Sequence, residues 1–212
     1  MMKRDTTFSS FSACATFLVI CSAVMAAGCA KARPLRYYTL SVPPVSAQSG
    51  AQQIPVTIVV GRLNGPHLLR DDRVVYGMSD VELGVDEYHR WAEPPTEMIQ
   101  RLLIERLRRS GQYRSVQRIS STSRGDYILR GHLAALNEVD DPSGIKARFA
   151  LQLELLDTKS GSVVWNDNYS QDEPIEKKTV TSVVESLQKN VRTGIEQLTG
   201  SLAQYFVSHP RQ

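Results

Sequence analysis

Three cysteines, four histidines and a handful of acidic pairs are the residues here that could do chemistry. Cys14, Cys21 and Cys29 form no C-x-x-C pair and cannot frame a disulfide-built fold. His67, His89, His132 and His209 are scattered, with no two at helical spacing, whereas a metal site needs convergent ligands. Asp71-Asp72, Asp80 with Glu82, Asp86-Glu87 and Asp140-Asp141 fall in expected turns, where Asp is favoured for its local hydrogen bonding. None extends to the alternating acidic loop that holds calcium. Phosphate-cradling loops, dinucleotide fingerprints, paired metalloprotease histidines and nucleophile elbows are all missing from the sequence. The expectation is a protein that is not an enzyme and holds no metal or other cofactor.

Cys29 is different because of what precedes it. Lys3 and Arg4 open a stretch that carries no charge from Phe8 to Ala27 and closes on Ala26-Ala27-Gly28. A basic start, an apolar middle and small residues at the exit make a secretory signal. The segment resembles a bacterial lipobox, with Ala26 in place of the usual Leu. That resemblance implies cleavage before Cys29, lipidation of Cys29 and anchoring in a membrane. The expected organisation is a signal peptide over 1–28, a lipidated tether over 29–35 and a single domain over 36–212. A six-residue tether from Ala30 to Leu35 reaches about 20 Å when extended. Cys14 and Cys21 leave with the signal, so the mature domain carries no free thiol and suits an oxidising compartment.

The elements beyond the tether follow from periodicity. Strands are expected over Arg36–Val42, at Val56, Ile58 and Val60 up to Gly61, and as a hairpin around Ser79-Asp80. Pro94-Pro95 and Glu97 signal a helix from about Pro95 to Ser110, stopped at Gly111. Tyr113–Ile119 and Tyr127–Val139 read as strands, with Gly131 as an expected bulge. The alternation of Ala147, Phe149, Leu151, Leu153 and Leu155 marks a strand that returns through Asp157–Gly161 to Val163, Trp165 and Tyr169. From Val180 to Phe206 apolar residues advance by three or four, which makes one long amphipathic helix. The expected class is α+β: a mixed, mostly antiparallel sheet with two amphipathic helices packed on one face.

A net charge of +3 and the lack of aromatics interleaved with basic residues argue against a nucleic-acid partner. One aromatic and charged cluster, Tyr88-His89-Arg90-Trp91-Ala92-Glu93-Pro94, stands in an expected loop before the first helix. Trp91 there is either a buried anchor for the helix start or, with Arg90, part of a partner-binding surface.

Tyr37-Tyr38-Thr39-Leu40 soon after the lipidated Cys, Leu68 to Tyr76, and Arg90-Trp91-Ala92-Glu93-Pro94 opening a helix form an ordered set. In these the chain resembles the ABC-type transport auxiliary lipoproteins, the PqiC-like lipoproteins of MCE lipid-transport systems. The resemblance implies a non-catalytic periplasmic component that docks an MCE-domain protein working with an ABC permease and ATPase. It also implies possible assembly of several copies of the chain into rings. Ala30 after the lipidated Cys, in place of an Asp that would favour the inner membrane, points to the outer membrane. The alternative is a carrier lipoprotein that holds acyl chains in its own cavity.

Overall fold

The computed structural model describes residues 33–41, 53–77, 82–142 and 144–210. Two units divide the chain, Met1–Pro34 and Leu35–Gln212, and every element below belongs to the second. Cys29, the signal segment, Val42 and the Ser79-Asp80 hairpin tip lie outside the described residues.

Eight strands and two helices follow in order: β1 (Arg36–Tyr38), β2 (Ile54–Asn64), a 3-10 turn (His67–Arg70), β3 (Arg73–Gly77), β4 (Leu83–Trp91), α1 (Pro95–Arg109), β5 (Tyr113–Arg118), β6 (Tyr127–Asp141), β7 (Gly144–Asp157), β8 (Val163–Pro174) and α2 (Val180–Ser208). They form one mixed sheet with two helices, the α+β class expected from the sequence.

β6 organises the sheet because it is long enough to have different neighbours along one edge. Its first half pairs in parallel with β2, and Glu138 further along pairs with Tyr76 of β3. Its other edge carries the antiparallel ladder to β7, which continues to β8. β5 lies outside β2, while β4 and then β1 lie outside β3. The longest ladders are antiparallel, and the shorter ones at β1, β2 and β5 are parallel.

Side-chain alternation puts one sheet face into a single core. In the register Val60, Leu129 and Leu155 stand in one row across β2, β6 and β7. All three are at most 1% exposed. α1 packs on β2 and β5 through Met98, Ile99, Leu102, Leu103 and Leu107, and α2 packs on β7 and β8 through Leu187, Val191, Ile195 and Leu198. Each helix also buries one amide. Gln100 donates from Nε2 to the Gly61 carbonyl at 2.6 Å. Asn190 donates from Nδ2 to the carbonyls of Ala147 and Gln171 at 2.9 and 2.8 Å, and its Oδ1 accepts from the Tyr169 hydroxyl at 2.8 Å.

Several boundaries differ from expectation. β1 stops at Tyr38 because the chain then turns Leu40 into the core, where it is 1% exposed and its N–H reaches Met98 Sδ at 3.3 Å. β2 does not end at Gly61. It continues to Asn64 past an extra residue inserted between Val60 and Leu63, so Gly61 lies at the bulge expected at Gly131. Gly131 pairs in step with Leu63 and Leu153. A Cβ there would come within 2.7 Å of the Cδ2 atoms of both leucines and 2.9 Å of the Gln152 carbonyl oxygen, so any side chain would force its neighbours to shift. Slippage between β6 and β7 falls a little further on, between Leu133 and Ala135.

Candidate functional site

The segment expected as a loop from Tyr88 to Pro94 is mostly strand. β4 runs through to Trp91, and only Ala92–Pro94 link it to α1. The strand persists because β1 arrives beside it: Arg36, Tyr37 and Tyr38 pair in parallel with His89, Arg90 and Trp91. The Trp91 N–H donates to the Asp72 carbonyl at 2.6 Å, and the Ala92 N–H donates to the Tyr38 carbonyl at 2.7 Å.

Alternation separates the two residues singled out from the sequence. Trp91 points inward and is 1% exposed, among the largest fully buried side chains. Among the described residues its buried indole N–H has no hydrogen-bond partner, so the ring contributes through its area. Arg90 points outward with a side chain 28% exposed, and its Nη1 donates to Asp72 Oδ1 at 2.6 Å. The buried-anchor reading therefore describes Trp91, and any surface contact at this place falls to Arg90 and its neighbours.

Those neighbours come from register. Residues opposite one another across paired strands share a face, so Tyr37 of β1, Arg90 of β4 and Arg73 of β3 stand in one outward row. Tyr88, two residues before Arg90, is exposed nearby. Tyr37 is 60% exposed and Tyr88 37%. The result is a surface of two tyrosines and two arginines at the β1 edge of the sheet.

Acidic residues read from the sequence as solvated turn residues hold this surface in shape. Asp71 accepts from Arg73 Nε and Nη2 at 3.2 and 3.1 Å and from the Arg73 N–H at 3.1 Å. The Arg73 guanidinium brings the Asp71 carboxyl down to about 2 against a smaller opposing effect of burial. Asp86 is pushed up by burial, yet the N–H groups of Tyr88 and His89 and the His89 ring outweigh this and leave it below the usual carboxylate range. His89 Nδ1 stands 2.9 Å from Asp86 Oδ2, an ion-pair distance once the imidazole is protonated. Glu93 in the link accepts from Arg101 Nε of α1 at 2.7 Å. Asp72 and Glu93 are the partners that sequence reading missed; the available signal was an acidic pair standing eighteen residues before an Arg-Trp pair.

Residues 38–199 match the family model of the ABC-type transport auxiliary lipoprotein component. The chain belongs to this family. Within the auxiliary lipoprotein, the Arg-Trp-Ala-Glu-Pro run of this chain is a structural clasp: Arg90 on Asp72, Trp91 in the core, Ala92 on β1, Glu93 on Arg101, and Pro94 offering its carbonyl to the N–H groups of Glu97 and Met98.

Among solved structures, the chain is similar to a Xanthomonas campestris protein at 18% identity and a TM-score of 0.72. That match covers 82% of this chain and 98% of the other. It is also similar to an uncharacterized protein at 14% identity and a TM-score of 0.62, covering 80% and 99%. At such identities the likeness concerns the fold. No curated protein matches the chain. Among the described residues, no three His, Cys, Asp or Glu side chains gather as a metal site would need, and no helix is long and apolar enough to cross a membrane.

Proposed function

We propose that this auxiliary lipoprotein is a non-catalytic, lipid-anchored docking subunit of an MCE-type lipid-transport system. In this reading Cys29 carries the anchor, the domain stands on the periplasmic face of the outer membrane, and it engages the MCE-domain protein of a complex with an ABC permease and ATPase. The observation that carries the reading is the family match over most of the domain. The outward surface of Tyr37, Tyr88, Arg73 and Arg90 supports it, since Tyr and Arg are the residue types that anchor interfaces. Anchoring confines the domain to a thin layer and raises its effective concentration, so a modest interface suffices.

Crosslinking and pull-down of the native full chain tests the assignment. MCE and permease subunits should be recovered with it, and Cys29→Ala should block acyl labelling and reduce that recovery. Recovery of neither subunit contradicts the proposal. The carrier alternative gains little from the core, where facing side chains of sheet and helix such as Phe149, Leu151, Leu187 and Leu198 are fully buried. Lipid co-purifying in fixed stoichiometry would favour the carrier instead.

A further inference from the structure

Away from the clasp, α1 and β5 border a groove of about 460 Å³ lined by Arg101, Ile104, Glu105, Arg108, Arg109 and Arg118. Four arginines and one glutamate line it. Glu105 is shared, at 2.6 Å from Arg109 and 3.9 Å from Arg101. Arg101 also has Glu93. Among the described residues, Arg108 and Arg118 have no acidic partner.

Basic residues in the last turn of a helix complement the partial negative charge of its carboxyl end, which accounts for one or two of these arginines. It does not account for Arg118, which comes from the neighbouring strand and adds its charge to the same groove. Arg108 is tied to that strand as well: its Nε donates to the Val116 carbonyl at 2.8 Å, and the residue lines the same groove. Like charges brought together from two elements repel unless an anion joins them. Guanidinium forks match the paired oxygens of a phosphate, and the buried Ile104 supplies an apolar wall beside them.

We infer that the groove between α1 and β5 is a phosphate-binding site in which Arg108 and Arg118 hold the anion and Arg101 and Arg109 add to the field. The same chemistry fits a phospholipid headgroup or free phosphate. The site is independent of the docking surface and of the partner proposed above.

The test is calorimetric titration of the full chain in nonionic detergent with two probes, inorganic phosphate and glycerophosphoglycerol, the deacylated headgroup of phosphatidylglycerol. Saturable binding of at least one is expected. Arg118→Gln should weaken it about tenfold, as loss of one charge-assisted contact does. Arg130→Gln, on a side chain paired with Glu154 elsewhere on the sheet, should leave it unchanged. Tighter binding of glycerophosphoglycerol than of phosphate assigns the site to a lipid headgroup; the reverse assigns it to the free ion. Arg108→Gln is a second variant, but it also breaks the bond to Val116, so Arg118→Gln, confirmed folded by circular dichroism, decides. Saturation by neither probe, or wild-type affinity in folded Arg118→Gln, overturns the inference.

Discussion

α1 and α2 bury their apolar stripes on the same sheet face, yet their other sides are built differently. α2 is 29 residues long and balances Glu185 and Glu196 against Lys189 and Arg192. α1 is 15 residues long and sets Arg101, Arg106, Arg108 and Arg109 against Glu97 and Glu105. A balanced, exposed side solvates a helix and asks for nothing more. An excess of one sign, joined by a strand residue of the same sign, costs self-repulsion that a bound anion relieves. Attachment differs too. α2 is attached by its stripe, by Asn190, by the Thr179 cap on the Ser182 N–H and by the Lys189–Glu173 pair, whereas α1 starts at a clasp that ties β1, β4 and the Asp71-Asp72 turn to its first residues. The long helix is the fixed wall of the domain, and the short one stands where its distinctive surface features lie.

The comparison is broken most severely by emptying the clasp. Trp91→Ala should lower the unfolding free energy by about 3–5 kcal/mol in a urea titration, the usual cost of removing a large buried ring. A loss under about 1 kcal/mol would mean that the clasp does not hold the start of α1.

The two buried amides come next. Asn190→Ala strands the Tyr169 hydroxyl and two carbonyls and should cost about 2–4 kcal/mol, against about 1–2 kcal/mol for Gln100→Ala, which frees one carbonyl. Equal losses in the same titration would show that the helices depend equally on their amides.

Acid sharpens the clasp side. The Asp71 carboxyl lies lower in the folded chain, at about 2, than in an unfolded one, where it is 3.8. Its contribution is therefore complete above pH 4 and fades as pH falls from about 4 toward about 2. Asp71→Asn should flatten that part of the stability profile. Because the carboxyl is partly solvated, its loss at neutral pH should stay under about 1 kcal/mol. An acid profile identical to wild type would assign the dependence to other carboxylates. The smallest effect is expected on the outer side of α2, where Arg192→Gln should change stability by less than about 0.5 kcal/mol.

Much of this architecture is legible in the chain. The stripe of α2, the alternation of β7 and the Pro-Pro start of α1 each follow from local rules, and the structure keeps them within a few residues. What local rules miss is set by distant partners. β4 reaches Trp91 only because β1, some fifty residues earlier, lies beside it. Gly131 and Gly61 look alike in sequence, and only the leucines facing Gly131 and the slipped register beside Gly61 distinguish a close approach from a bulge. Arg90 and Trp91 were visible as a pair with interface chemistry, but their division between outside and inside depends on strand alternation that a loop would lack. Asn190 interrupts the apolar stripe without any sign that three bonding groups await it.

The proposal that the outer face of β1 and β4 docks an MCE-domain protein is open to one direct measurement. A photo-crosslinking residue placed at Tyr37 or at Glu185 samples the two sides being compared, in otherwise native full-length chains in the cell envelope. An adduct with the MCE-domain protein is predicted from position 37 and none from position 185. An adduct from 185 alone would contradict the account.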